Sequence, residues 1–193
     1  IGVDGLGLIS YYDVTNGNLK VAHCSNLACS SASISTLDST GDVGRYTSIG
    51  INSAGKGVIA YMDNTLLKLK FVYCSNAACS SFGTPTALTD ALNSNSLSMT
   101  IGGDGAPLIA LHRNSDVYVV HCTSPYCIGA PEVNLVHSDP EDGAWGVSIT
   151  IGQDGWGLVA LNDGFFHGTV VHCANLNCSV YSHTNLAELA SWD

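Results

Sequence analysis

This sequence predicts an all-β chain, a four-bladed β-propeller built from four 50-residue repeats of four antiparallel strands, on three observations. One segment returns every fifty residues, each copy alternates short apolar strands with Gly- and Asn-bearing turns, and no stretch carries the apolar spacing of a helix. The copies are "IGVDGLGLISYYD" from Ile1, "INSAGKGVIAYMD" from Ile51, "IGGDGAPLIALHR" from Ile101 and "IGQDGWGLVALND" from Ile151. The repeats run about 1–50, 51–100, 101–150 and 151–193, which makes 1–193 a single domain. A β-solenoid or an open array of hairpins is the competing repeat architecture.

Within a repeat the elements follow from local chemistry. The alternation of "SITIG" (148–152), the pair Asp154-Gly155 and then "GLVAL" (157–161) reads as strand, tight hairpin turn, strand. Asp4-Gly5 and Asp104-Gly105 repeat the turn, and Ala54-Gly55 keeps its glycine. A second turn at Asn16-Gly17 leads into a third strand at 19–24, and a weaker fourth strand covers about 34–37, with counterparts near 86–88 and 132–136. In the third strand Val21, Phe71, Val119 and Val170 are apolar, and so are the adjacent Ala22, Val72, Val120 and Val171, which face the other way. Both faces of each sheet are therefore expected to be covered, as in stacked blades.

Every repeat holds one C-x4-C pair: Cys24/Cys29, Cys74/Cys79, Cys122/Cys127 and Cys173/Cys178. Four identical local disulfides are the economical reading, each clipping a loop at the end of the third strand and each contributing roughly 2 kcal/mol through loop closure. They call for an oxidising compartment, so the chain reads as secreted or displayed at a cell surface. Metal is the rival, because His23, His121 and His172 directly precede the first cysteine of their loops. Neighbours on a strand point to opposite faces, which argues against a shared ion. Tyr73 replaces histidine in the second repeat, so the column reads as a buried aromatic position whose polar atom meets a backbone partner.

Composition excludes some partners. A net charge of −10 with only 6 Lys+Arg cannot neutralise a run of phosphates, so neither nucleic acid nor an anionic membrane surface is expected as a partner. No apolar run approaches the length of a membrane-spanning helix, so membrane insertion is not expected either. The chain begins at Ile1 without a methionine or a leader, which is expected of a processed product or a piece of something longer.

The motifs IGxDGxxxIxYxD and HCSNxxCSS, as in "TLDSTGDVGRYTSIGINSAGKGVIAYMD" and "LKVAHCSNLACSS", make the chain resemble the uncharacterised secreted β-propeller repeats of bacterial and environmental sequences. The resemblance spans nearly the whole chain and implies the architecture and a secreted location. It implies no activity and no catalytic residue. The third repeat departs most, with His112-Arg113 where the first has Tyr12-Asp13 and "TSPYC" in place of "SNLAC". Sialidase-type propellers are less similar, because their Ser-x-Asp-x-Gly-x-Thr-Trp turn is absent and Arg45 and Arg113 are the only arginines.

In a repeat protein the scaffold recurs and a ligand site tends to break the symmetry, so the exceptions are the candidates. Trp156 occupies a turn position held elsewhere by Leu6, Lys56 and Ala106, and Phe165, Phe166 and His167 fill a turn that is polar in other repeats. With His112 and Arg113 these are the candidate ligand-binding residues, and core packing is their alternative role. An acidic set, Asp38, Asp42, Asp90, Asp139, Glu141 and Asp142, lies in the loops between repeats and could hold calcium, although no EF-hand spacing is present; no other cofactor is expected. Asn177-Cys178-Ser179 is a glycosylation sequon inside a cysteine loop.

The expected function is a non-catalytic extracellular structural or adhesive module, whose partners are copies of itself or another extracellular protein. A lectin-like glycan binder is the alternative, and a glycoside hydrolase the third reading. The chain stops seven residues short of four full repeats, and Ile1 lacks the strand that precedes Ile51, Ile101 and Ile151. An incomplete blade leaves an edge for strand pairing, so assembly into fibres or tandem arrays is expected.

Overall fold

The computed structural model describes residues 1–138, 144–163 and 168–186. Among them are fifteen strands and no helix. They form two compact units, Ile1–Ala91 and Leu92–Asp193, each holding two sheets.

In the first unit, β1 (Leu8–Asp13), β2 (Asn18–Cys24) and β3 (Ala32–Asp38) make a three-stranded sheet in chain order among the described residues. Strands β4 (Val43–Ile51), β5 (Gly57–Asp63), β6 (Lys68–Tyr73) and β7 (Thr86–Asp90) make a four-stranded one. The second unit has β8 (Leu97–Ile101), β9 (Pro107–Arg113), β10 (Asp116–His121) and β11 (Glu132–Ser138), then β12 (Ala144–Ile151), β13 (Gly157–Asp163), β14 (Gly168–Cys173) and β15 (Tyr181–Asn185). All pairings between neighbours are antiparallel meanders, the blade pattern read from the repeats.

The hairpin turn owes its shape to one backbone requirement. Gly5, Gly55, Gly105 and Gly155 have φ between 72° and 85°, and each donates its N–H to the carbonyl of residue i−3 at 2.9–3.0 Å. A residue with a Cβ disfavours that left-handed conformation, so the glycine survives even where Asp becomes Ala54. The second glycine of the motif has a different cause: a Cβ at Gly7, Gly57 or Gly157 would lie 2.9–3.0 Å from the Sγ of Cys24, Cys74 or Cys173.

Each unit has its core between its own two sheets. Leu8, Leu19, Val21 and Leu37 meet Val43, Ile59, Tyr61 and Val72 in the first unit, and Leu108, Val117, Val119 and Val136 meet Ile149, Val159, Leu161 and Val171 in the second. Burial of both sheet faces holds for β5, buried along its whole length, and for Phe71, Val72, Val119 and Val120. It does not hold everywhere. Ala22 and Val170 are half-buried, and Ile9 and Ile34 are 50% and 54% exposed, because they lie on sheet faces turned away from their unit's core.

Candidate functional site

At one end of every sheet the glycine turn and the cysteine loop come together. In three sheets the turn joins the first two strands, in the first sheet it leads into β1, and in all four the loop joins the last two, so antiparallel pairing places turn and loop at the same end. All four predicted bridges are formed, Cys24–Cys29, Cys74–Cys79, Cys122–Cys127 and Cys173–Cys178, and no cysteine is free. The second cysteine of each pair has φ between 50° and 58°, which turns the loop back into the fourth strand. Inside the loop Asn26, Asn76 and Asn175 donate from Nδ2 to the hydroxyls of Ser30, Ser80 and Ser179 at 2.8–2.9 Å. In the sequon, Asn177 is half-buried and its carboxamide oxygen accepts the Ser179 N–H.

The histidine column has a partner that the sequence reading missed. His23 Nε2 lies 2.8 Å from Asp4 Oδ2, His121 Nε2 2.8 Å from Asp104 Oδ2, and His172 Nε2 2.7 Å from Asp154 Oδ2. The partner is the aspartate of the hairpin turn and not a backbone group. The other oxygen of each carboxylate accepts a backbone N–H, from Leu6, Ala106 or Trp156, at 3.0–3.1 Å. The N–H of Leu6, reinforced by His23, holds the Asp4 carboxyl below the usual range, and the N–H of Trp156 with His172 does the same for Asp154.

The second repeat shows that these residues act as one device. A Cβ on Gly2, Gly102 or Gly152 would lie 2.7–3.0 Å from the Oδ1 of Asp4, Asp104 or Asp154, so the carboxylate requires a glycine there. Where Ala54 replaces the aspartate, Asn52 replaces the glycine, and its Oδ1 accepts the N–H groups of Ala54 and Lys56 at 3.0 and 3.1 Å. Tyr73 then replaces the histidine, and Gly83 lies opposite it, where a Cβ would be 2.4 Å from the ring. Joint replacement of Asp4 and His23 by Ala54 and Tyr73 was the signal available in the sequence alone.

The opposite end of the first unit carries a different set. Tyr12 donates its hydroxyl to Asp42 Oδ1 at 2.6 Å, Arg45 Nη2 lies 3.2 Å from Asp42 Oδ2, and the guanidinium sits 5.0 Å from the Tyr12 ring centroid. The hydrogen bond to Asp42 pushes the Tyr12 hydroxyl up, and the same bond, with Arg45, draws the Asp42 carboxyl down. Deeper in, Asp38 receives Tyr61 Oη at 2.7 Å and the Lys70 ammonium, which also faces the fully buried Asp63 at 3.5 Å. Burial raises the Asp38 carboxyl, but Lys70 and Tyr61 outweigh it and leave it lowered. Asp90 pairs with Lys68. The inter-repeat acids Asp38, Asp42 and Asp90 are thus engaged with protein cations, and Asp139, Glu141 and Asp142 lie outside the described residues.

Strand β4 is irregular beside this cluster, with register shifts on both sides of Arg45. The first shift leaves Gly44 unmatched, with φ of 106°, and the second sets Tyr46 and Thr47 against Tyr61 alone; Tyr46 has φ of 50° and 43% of its surface exposed. In β12 the ladder-matched extra residue is Gly146, with φ of 80°. A bulky residue in the left-handed region costs on the order of 1–3 kcal/mol where glycine would cost little.

Among the described residues, the candidate ligand residues are not gathered into one place. Trp156 is half-buried and packs with Val147 and Ile151 against the second unit's core. His112 is 4% exposed with Nδ1 lacking a hydrogen-bond partner, and burial lowers its imidazole against the opposing pull of Asp116. Arg113 stacks 4.0 Å from the Tyr118 ring centroid. His112 and Arg113 end β9 at the inter-repeat side, whereas Trp156 precedes β13 at the disulfide side. Phe165, Phe166 and His167 lie outside the described residues.

No protein-family model and no curated protein matches the sequence. Solved structures do match. An engineered GH43 glycoside hydrolase with endo-xylanase and exo-arabinofuranosidase activity aligns with a TM-score of 0.57 at 10% identity, over 96% of this chain and 40% of that one. A bifunctional GH43-CE protein of Bacteroides eggerthii aligns at 0.54 and 13%, over 93% and 24%, and an endo-1,4-beta-xylanase of Bacteroides thetaiotaomicron at 0.53 and 11%, over 97% and 78%. This chain therefore spans less than half the length of the first two. At such identities the likeness shows the fold alone, the propeller type, and the four-blade all-β class read from the repeats stands.

Proposed function

We propose that this chain is a non-catalytic extracellular recognition or adhesive module. The observation that carries the reading is the recurrence of its titratable pairs. The same carboxylate–imidazole contact stands beside the same disulfide in three repeats, and an uncharged substitute does its turn-holding work in the fourth. A group that recurs sheet after sheet behaves as scaffold, whereas one ligand or one transition state needs one arrangement. In the third repeat the remaining imidazole nitrogen, His121 Nδ1, lies 3.3 Å from Glu132 Oε2, so both ring nitrogens face carboxylates of the chain itself.

Four disulfides favour an extracellular setting, and no helix among the described residues is long and apolar enough to cross a membrane. Glycan is a ligand class supported by the fold shared with carbohydrate-active proteins, and a second copy or another extracellular protein is the partner class that the adhesive reading calls for. The test pairs two assays on disulfide-intact protein. Binding to a glycan array or concentration-dependent association in light scattering, without release of reducing sugar from xylan, arabinan or galactan, is the expected result. Release that survives stringent purification refutes the non-catalytic reading, and strictly monomeric particles that bind no glycan refute glycan recognition and self-adhesion together.

A further inference from the structure

From the geometry we infer that Tyr12, Asp42, Arg45 and Tyr46 form a subsite for a neutral pyranose ring. The inference rests on the recognition reading above and gives it a place and a ligand class.

Three observations converge on these residues. They break the repeat: the positions matching Tyr12 are Met62, His112 and Asn162, and those matching Arg45 and Tyr46 in β12 are Trp145 and Gly146. They are held rigidly, because Asp42 is fixed by Tyr12 at 2.6 Å and by Arg45 at 3.2 Å, and Arg45 is stacked on the Tyr12 ring. The backbone of Asp42 is fixed too, with its N–H on the Thr65 hydroxyl at 2.8 Å and its carbonyl accepting the Asn64 N–H at 2.8 Å. Finally, the bulge holds an exposed tyrosine in a conformation that its β12 counterpart meets with glycine. Strained residues and bulges that re-aim a side chain cluster at binding sites, and a purely structural bulge would be better served by glycine here.

The chemistry selects the ligand. An exposed phenol ring offers its face to the C–H face of a sugar, and Arg45, 43% exposed, keeps N–H donors beyond the one aimed at Asp42. A carboxylate beside a guanidinium offers acceptor and donor side by side, which matches vicinal hydroxyls. An anionic ligand is disfavoured, because Asp42 already neutralises Arg45 and the chain carries a net charge of −10.

The test uses the full chain with its disulfides intact, titrated by calorimetry and by saturation-transfer NMR with cellohexaose, xylohexaose and laminarihexaose. At least one of these is expected to bind, with saturation reaching the sugar from tyrosine protons. Tyr46→Gly is expected to weaken that binding at least tenfold while the melting temperature stays level or rises, because glycine relieves the left-handed backbone. A merely structural tyrosine would give the opposite pattern, stability falling and binding intact. Arg45→Gln is expected to weaken binding similarly with Tyr46 in place. Sugar binding unaffected by both substitutions overturns the subsite and leaves glycan recognition standing elsewhere on the chain. No binding of any of the three sugars also overturns it, and the broader reading then rests on the self-association assay. Cleavage of a hexasaccharide overturns the non-catalytic reading itself.

Discussion

Replacing Asp104 by alanine tests whether the turn, the histidine and the disulfide loop form one device. The substitution removes two contacts, the Ala106 N–H on Oδ1 at 3.0 Å and His121 Nε2 on Oδ2 at 2.8 Å. His121 is 7% exposed and keeps only the longer contact to Glu132 at 3.3 Å. Hydrogen bonds to a charged group are worth about 1.5–3 kcal/mol each, and the 27% exposure of Asp104 places the pair near the lower end, at about 2–3 kcal/mol in all. For a chain of this size that is a fall of roughly 4–12 °C in melting temperature by calorimetry. Gly102→Asn alone is also expected to destabilise, because its Cβ would lie 2.9 Å from Asp104 Oδ1. The combination Gly102→Asn, Asp104→Ala, His121→Tyr and Glu132→Gly copies the second repeat and is expected to recover most of the loss, a strongly non-additive result. If Gly102→Asn is neutral by itself, or if the four losses simply add, the coupled-device argument is wrong.

Other outcomes follow from the same geometry. Lys70→Met leaves Asp38 and Asp63 facing each other without a cation, and urea unfolding should show a loss of about 3–5 kcal/mol. Equal stability would mean that the two buried carboxyls do not depend on the Lys70 ammonium. Stability should fall as pH drops below about 4, because carboxyls lowered in the fold, Asp13 to about 2 and Asp4, Asp42 and Asp154 in the same direction, bind more protons when unfolded; a flat profile from pH 5 to 2 contradicts this. Trp156→Ala should lower the melting temperature, since the ring packs on the core of its unit, and an unchanged melting temperature would restore it as a free surface aromatic. Non-reducing peptide mapping should return only the four local bridges, and any long-range pairing refutes the arrangement.

By itself the sequence determined whatever repeats. Period, strand alternation, the glycine turns and the paired cysteines are local features, and local features copied four times cross-check one another. The spacing of Cys24 from Cys29 was enough to name the bridge, because a ring so short has no other economical partner. What tertiary structure alone decided is which residues meet across strands and sheets. Asp4 reaches His23 over 19 positions, a pairing hinted at only by their joint replacement in the second repeat, and Tyr12 reaches Asp42 over 30, a pairing that does not recur and leaves no such trace. The repeat left open whether Trp156 packs or projects, and in the fold its ring is half-buried against the apolar core of the second unit. Tyr46 was invisible in the sequence. Nothing in "GRYTS" announces a positive φ, since the bulge exists only where β4 must match β5, and the register between two strands is a property of the folded pair.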